Sequence, residues 1–279
     1  MQLSVPATIL SIRPDNKDLF TLSVSKAKTF DDCKAQYRFN YIEKLPKKDW
    51  DFLIFGKFIH HSLESFHKAL IEDSTLDNND LMKKCFDSSC EEYKEKITEV
   101  QKTDIWAILE KYIAKPKKPT SNIISVEKSF YIDINGKVLL NGYIDRVQID
   151  ADGVLHVADY KTTKDKKYLK DFFQLQTYAF VLMLENPDVE LVRASFILLR
   201  HDFEFLTKEY TRKDIAPIAE KFLKYAEEIN EEQLWRPNPK FLCKFCSFLD
   251  SCEEGKNYLD KKGIVKKAKP STKFGLSEW

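Results

Sequence analysis

The chain has 279 residues, of which 43% are hydrophobic, so it can bury a full core. Its 45 basic and 44 acidic residues leave a net charge of +1, which gives no overall attraction to a polyanion. No apolar run approaches the roughly 20 residues of a membrane span, and no repeat is evident. These features exclude a membrane-spanning protein and a repeat array.

The N-terminal part is predicted to be helical. Apolar residues recur at helical spacing over residues 56–72 and form one buried stripe. A second helical stretch covers residues 80–114 and ends at a Lys- and Pro-rich break over residues 115–121. The region from about 72 to 121 is therefore expected to be a helical insertion. Its candidate buried positions are Leu81, Cys85, Tyr93, Ile97, Trp106 and Leu109.

One histidine of the first helix is a candidate metal ligand. His60 and Glu64 are four residues apart and share a face beside the apolar stripe. An imidazole there can reach a metal at the end of a neighbouring sheet. His61 and His67 are alternatives, and a histidine in this position can also be a satisfied core residue.

A three-stranded meander is predicted in the middle of the chain. Three β-rich runs, residues 123–134, 137–150 and 154–161, are separated by Asn135-Gly136 and Asp152-Gly153, which are hairpin turn formers.

Hydrophobic alternation selects the register of the second hairpin. With the three-residue loop 151–153, Val147 lies opposite Val157 and Asp145 lies opposite Asp159. A slip of one residue would turn polar side chains into this apolar ladder.

Two acids and a lysine therefore meet at the end of the hairpin. Lys161 shares a strand face with Asp159 and lies opposite Tyr143. Opposed carboxylates repel unless a cation lies between them, and Mg²⁺ or Mn²⁺ prefers such oxygen ligands. The spacing alone leaves two interpretations open, a metal site and a solvated hairpin end. Glu127 is excluded from the site, because the apolar alternation of its strand directs it to the opposite face.

The remaining elements complete a mixed α/β fold with a central sheet flanked by helices. A helix is predicted over residues 167–186, strands over 189–200 and 203–211, and a helix over 214–230. The basic tail, residues 256–279, is expected to be flexible or an interaction arm.

Three cysteines form a compact group near the C-terminus. Cys243, Cys246 and Cys252 are separated by two and by five residues. No secretory signal precedes the first motif, so disulfides are not expected. Thiolates in such a group hold a structural zinc or an iron-sulfur cluster. Cys85 and Cys90, in a charged helical stretch, are expected to be incidental.

Four motifs, in order and spacing, resemble the RecB-like branch of the PD-(D/E)XK nuclease superfamily, which includes CRISPR-associated adaptation exonucleases and AddB-type nuclease domains. The resemblance covers residues 22–252. The motifs are Gly56-xxx-His60-xxx-Glu64, Gly142-xx-Asp145, Asp159-x-Lys161 and Gln174-xxx-Tyr178. It implies a restriction-endonuclease-like core in a single domain over residues 1–255.

The resemblance also implies roles for individual residues. His60, Asp145 and Asp159 would bind Mg²⁺ or Mn²⁺, with the Tyr160 backbone carbonyl as a further ligand. Asp159 replaces the Glu that many relatives carry there. Lys161 would orient or polarise the attacking water. The remaining motif, Gln174 and Tyr178, would contact DNA or support the site.

The same resemblance completes the cysteine group. Cys33 is the candidate fourth ligand, although Lys34 replaces the proline that often follows this cysteine in the family. A 4Fe-4S cluster is favoured over zinc because the split one-plus-three arrangement resembles the iron-sulfur members. Such a cluster would be a clasp between Cys33 and residues 243–252.

The expected function is that of a metal-dependent DNA nuclease, an exonuclease on single strands or duplex ends, in DNA repair, recombination or viral genome processing. The chain has no Gly-x4-Gly-Lys-Ser/Thr motif, so it has no expected ATP site, and unwinding would need a helicase or recombination partner. It is expected to be cytoplasmic, without membrane contact.

Lysines around Cys33 and Lys161 could contact phosphates, and Tyr37, Phe39 and Tyr41 could stack on bases or lie in the core. Two alternatives are a catalytically weak DNA-binding adaptor and a zinc-stabilised interaction module.

Overall fold

A computed structural model describes residues 10–12, 19–48, 50–115, 122–169 and 171–264 of the chain. The strands are β1 (Leu10–Ile12), β2 (Phe20–Leu22), β3 (Asn122–Ile134), β4 (Val138–Ile149), β5 (Leu155–Lys161), β6 (Leu191–Leu198) and β7 (Glu204–Thr211). The α-helices are α1 (Val24–Asp32), α2 (Lys34–Tyr37), α3 (Asp51–Glu72), α4 (Asn78–Glu92), α5 (Glu99–Ala114), α6 (Phe173–Glu185), α7 (Arg212–Ile215), α8 (Ile218–Glu231) and α9 (Glu253–Lys261). None of these described helices is both long and apolar enough to cross a bilayer.

The described strands form one mixed sheet in the order β1-β3-β4-β5-β6-β7, with β2 paired in parallel to β4. The pairs β3/β4, β4/β5 and β6/β7 are antiparallel, whereas β5 and β6 are parallel and are connected through α6. The predicted mixed α/β class, with a central sheet flanked by helices, is confirmed.

The predicted meander and its register are confirmed. Val147 pairs with Val157, and the β4/β5 ladder runs from Ile149 and Leu155 to Arg146 and Ala158. Alternation could set this register because a shift of one residue would reverse the faces of every side chain. The ladder ends there, one residue before the two acids, so the two strands diverge where the candidate site begins.

Helices pack on both faces of the sheet. On one face, α1, α6 and α8 bury a core that contains Phe30, Tyr178 and Phe222 with the inward side chains of the strands. On the other face, α3, α4 and α5 bury a second core around Phe58 and Leu109. A helix on each face brings side chains from two layers to the same edge of the sheet.

Several predicted boundaries are wrong. The single helix predicted over 80–114 is two helices, because Thr98 begins α5 with a capping box that satisfies two backbone N–H groups. The helix predicted from residue 167 begins at Phe173. The expected flexible tail begins with α9, in which Leu259 is buried. The Lys- and Pro-rich break beyond Lys115 and the tail beyond Ile264 lie outside the described residues.

Candidate metal centre

The candidate site lies where β4 and β5 diverge. α3 brings the His60 imidazole to this point, with Nδ1 3.3 Å from Asp145 Oδ2. His60 Nε2 lies 3.0 Å from the Tyr160 carbonyl oxygen. The Tyr160 backbone N–H donates to Asp145 Oδ2 at 2.9 Å, in place of a ladder hydrogen bond. Three predicted groups therefore meet: the His60 ring, the Asp145 carboxylate and the Tyr160 carbonyl.

Burial disfavours the charged forms of the ionisable side chains at this site. Desolvation raises the pKa of Asp145 well above its ordinary value, and the charges of Asp159 and Glu127 raise it further. Desolvation also lowers the pKa of His60. These shifts favour a neutral imidazole beside carboxyl groups that resist ionisation. A cation between them would stabilise the site, because the cation favours the charged forms of the acids.

The structure adds one acid that the sequence analysis excluded. Glu127 belongs, with His60 and Asp145, to a group whose ligand atoms all lie within 4.8 Å of one another. Glu127 has φ 44°, and the β3/β4 register shifts between Ile123 and Ser125. Excluding Glu127 from the site is therefore wrong. Val126, Phe130 and Ile132 are buried as the alternation predicts, but alternation does not set the direction of a side chain at a left-handed residue.

The other predicted residues form a connected chain beside this group. The Lys161 ammonium lies 2.6 Å from Asp159 Oδ2 and donates to Gln174 Oε1 at 3.1 Å. The Gln174 amide donates to the Tyr178 hydroxyl at 2.8 Å. Asp159 is nearly buried and is turned toward Lys161, and its charge also raises the pKa of Tyr178 and Asp145. Gln174 and Tyr178 thus hold Lys161 from α6.

Two glycines permit close packing around the site. A Cβ on Gly142 would lie 2.7 Å from Phe130 Cζ, so only glycine leaves room for that ring, which packs edge-on against Tyr178. A Cβ on Gly56 would lie 3.4 Å from Thr162 Oγ1, which is an ordinary contact. Gly142 is therefore the more restrictive position.

The other two histidines of α3 lie away from the metal group. His61 Nδ1 is 2.8 Å from Ser89 Oγ, in the contact with α4. His67 Nε2 is 2.8 Å from the Tyr112 hydroxyl. That hydroxyl lies 3.1 Å from the hydroxyl of Tyr160, whose backbone carries the carbonyl beside His60. Both histidines thus join α3 to another helix on the same face of the sheet.

The four predicted cysteine ligands surround one cavity of about 180 Å³. Backbone N–H groups donate to three of the sulfurs: Asn238 to Cys33 Sγ at 3.4 Å, Lys240 to Cys243 at 3.3 Å and Gly255 to Cys252 at 3.4 Å. Burial raises the pKa of Cys246 to about 11. These sulfurs lie on opposite ends of the chain, and the fold brings them together.

Cys85 and Cys90 pack in the core of the helical insertion, apart from this cavity. Cys33, Cys243, Cys246 and Cys252 together line the cavity, and thiolates in such a group hold a structural zinc or an iron-sulfur cluster.

The aromatic residues expected to stack on bases are in the core. Tyr37 and Phe39 are 4% and 6% exposed, and Tyr41 packs against the main core. Their interpretation as base contacts is wrong, and the core alternative holds. Several of the nearby lysines are neutralised by acids, as in the Lys34–Glu232 and Lys167–Asp165 pairs. Lys170 lies outside the described residues.

A mixed sheet whose strands diverge beside clustered acids and a lysine is the arrangement that the four sequence motifs predict. The chain belongs to the PD-(D/E)XK nuclease superfamily, whose family model matches residues 21–253.

Two curated proteins and one solved structure are similar to this chain. An ATP-dependent helicase/deoxyribonuclease subunit from Streptococcus pyogenes is 25% identical over 237 residues, covering 68% of this chain and 22% of that protein. The same protein from another strain is 25% identical over 183 residues, covering 60% and 17%. The chain thus spans about a fifth of the curated relatives it matches. A solved structure of a candidate exonuclease from Eubacterium rectale is 12% identical, with a TM-score of 0.45 and 88% and 94% of the two chains covered.

Proposed function

We propose that this protein is a divalent-metal-dependent deoxyribonuclease that acts as an exonuclease on single strands or duplex ends. The observation that carries the proposal is the group formed by His60, Glu127 and Asp145, whose ligand atoms lie within 4.8 Å of one another beside the Asp159–Lys161 pair. Oxygen and imidazole ligands of this kind suit Mg²⁺ or Mn²⁺.

The predicted ligands converge at the point where β4 and β5 diverge. His60 Nε2 lies 3.0 Å from the Tyr160 carbonyl oxygen, and His60 Nδ1 lies 3.3 Å from Asp145 Oδ2. His60, Asp145 and the Tyr160 carbonyl would hold the ion together with Asp159, as the resemblance implies, and Glu127 adds a further carboxylate.

The protein groups would divide the work of phosphodiester hydrolysis. A bound Mg²⁺ or Mn²⁺ supplies Lewis acidity and lowers the pKa of a water molecule. Lys161 positions the attacking water and balances the charge that develops on the phosphate. Gln174 fixes the Lys161 ammonium from α6 by the 3.1 Å hydrogen bond, and Tyr178 in turn fixes Gln174. In this scheme the acids bind the metal ion, and Lys161 acts on the attacking water and the phosphate.

The cysteine cavity is proposed to hold a 4Fe-4S cluster, with a structural zinc as the alternative. The proposal is supported by the single cavity of about 180 Å³ that Cys33, Cys243, Cys246 and Cys252 line together. Backbone N–H donors to three sulfurs supply the hydrogen bonds that thiolate ligands accept. The cluster would join the two ends of the domain as a clasp.

The names of the relatives suggest the context. A helicase partner is proposed to unwind or deliver the DNA, because the matched proteins are named as subunits of a helicase/deoxyribonuclease. The role would then be processing of DNA ends in repair, recombination or viral genome processing.

The test is cleavage of end-labelled single- and double-stranded DNA by anaerobically purified protein, with Mg²⁺ or Mn²⁺ added. We expect cleavage from an end by the wild type and none by Asp145→Asn. The matched control is Asp87→Asn, which removes a carboxylate from an exposed ion pair on α4. DNA binding without cleavage by the wild type would instead point to the adaptor.

A further inference from the structure

Four aromatic side chains form a surface patch beside the cysteine cavity. Trp50 and Phe52 lie at the start of α3, and Phe241 and Phe245 lie in the segment that carries Cys243. The rings of Trp50, Phe52 and Phe245 are within 6.2 Å of one another, centroid to centroid. Phe52 is 49% exposed and Phe241 is 50% exposed. Large aromatic rings left open to solvent in this way mark an interaction surface.

Lysine ammonium groups lie over three of these rings. Lys48 Nζ is 4.1 Å from the centre of the Trp50 ring. Lys244 Nζ is 3.8 Å from the Phe241 ring and 4.7 Å from the Phe245 ring. Of the four lysines in residues 47–53 and 240–247, Lys240 is paired with Asp32. The patch therefore combines ring faces with the ammonium groups of Lys48 and Lys244.

The patch is aligned with the candidate metal centre along α3. Phe52, Gly56 and His60 are spaced four residues apart, so they lie on one stripe of the helix. Eight residues of helix place Phe52 about 12 Å from His60 along the axis. This distance corresponds to about three or four nucleotides at a rise of about 3.4 Å each, and fewer in a stretched strand.

We propose that the aromatic patch binds the single-stranded DNA that leads into or out of the metal centre. Bases would stack on Phe52 and Phe241, and Lys48 and Lys244 would contact the phosphates between them. The proposal rests on the nuclease function proposed above and specifies where that nuclease holds a single strand.

The chemistry of the patch favours nucleic acid over a protein partner. Base stacking on aromatic rings, interleaved with cations that follow the backbone, is how proteins bind single strands without sequence preference. The core of a protein interface is depleted of lysine, whereas here lysines cover the rings. An apolar protein partner would have to desolvate those ammonium groups.

The test measures binding of a fluorescein-labelled oligothymidylate to the full chain without added divalent metal. Phe52→Leu and Phe241→Leu keep apolar area but remove the ring, so each should weaken binding roughly tenfold. Phe52→Trp should bind at least as tightly as the wild type. Lys48→Gln and Lys244→Gln should each reduce the slope of log K against log salt by about 0.7.

Two controls separate the surface from the catalytic site. Ile71→Ala removes an apolar side chain that is 45% exposed at the other end of α3, and it should leave DNA binding unchanged. Hydrolysis of bis(p-nitrophenyl) phosphate, which is too small to reach the patch, should be unchanged in every patch variant. Absence of DNA cleavage by the wild type with Mg²⁺ or Mn²⁺, with ring-dependent DNA binding retained, would reject the nuclease and keep the surface.

Two outcomes would overturn the proposal. One is wild-type affinity for the oligothymidylate in both leucine variants. The other is an equal loss of affinity in Ile71→Ala. Leucine variants that bind DNA normally but fail to bind a purified protein partner would assign the patch to a protein interface.

Discussion

Replacing Glu127 by Gln tests the acid that only the tertiary structure places at the metal centre. The substitution keeps the shape of the side chain and removes its charge. Glu127 lies with His60 and Asp145 in the group within 4.8 Å. If these groups hold a divalent ion, the variant should bind Mn²⁺ less tightly while its fold is retained.

The magnitude follows from the spacing of the carboxylates. Two negative charges 4.8 Å apart repel by about 3.5 kcal/mol at an effective dielectric constant near 20. A bound cation attracts both carboxylates and offsets their repulsion. Removing one carboxylate should therefore lower the metal affinity at least tenfold, which is about 1.4 kcal/mol. Maximal velocity at saturating Mn²⁺ should change less than the affinity.

The pH dependence of activity should also shift. The Glu127 charge contributes to the raised pKa of Asp145, so its removal should lower that pKa. A protonated Asp145 cannot hold the metal, and activity is therefore lost as pH falls through the Asp145 pKa. In Glu127→Gln the acidic limb of the profile at saturating Mn²⁺ should lie at lower pH than in the wild type.

The matched control is Glu64→Gln. Glu64 lies near Glu127, since its charge contributes to the raised pKa of that residue, but it is paired with Lys68 on α3 and lies outside the metal group. Manganese titrations of DNA cleavage and isothermal titration calorimetry would compare the two variants. Equal metal affinity in Glu127→Gln and Glu64→Gln would refute the role of Glu127.

Three further predictions concern the lysine, the packing under the site and the clasp. Lys161→Ala should lower the turnover number roughly 100-fold, whereas the Mn²⁺ concentration for half-maximal activity should not rise. A large loss of Mn²⁺ affinity with normal turnover would contradict the role of Lys161 in positioning the water. Gly142→Ala should destabilise the fold by about 1–3 kcal/mol and lower Tm by roughly 2–10 °C, because the new Cβ would lie 2.7 Å from the Phe130 ring. Thermal unfolding followed by circular dichroism would measure this, and an unchanged Tm would argue against the clash. Cys243→Ser should lose the brown colour and about four irons per chain while Cys85→Ser keeps both; colourless wild-type protein with about one zinc would identify a zinc site instead.

Local patterns in the sequence were sufficient for the elements nearest the site. The β4/β5 register followed from alternation, because a one-residue shift would have placed Val157 opposite Arg146 or Gln148. Helical spacing predicted the buried stripe of α3 and the face that carries His60. Both signals depend on neighbours a few residues apart, which is the range over which a sequence pattern acts.

Other features depended on contacts between distant segments. Thr98 divides the predicted long helix, since a polar cap satisfies backbone groups at a point that apolar spacing does not mark. Tyr37 and Phe39 are in the core, whereas Phe52 and Phe241 remain exposed, although all four are aromatic. Composition does not distinguish them, because burial depends on which helix packs over each ring.

The sequence by itself determined the β4/β5 register and the helical face that carries His60. Only the tertiary structure placed Glu127, a residue with φ 44°, beside Asp145. Cys33 was expected as the fourth cysteine only through the family resemblance, and the fold brings it to the cavity that the C-terminal cysteines line. The physical reason is that side-chain period is a local property, whereas a left-handed residue and a contact across the fold are settled by the packing of the whole chain.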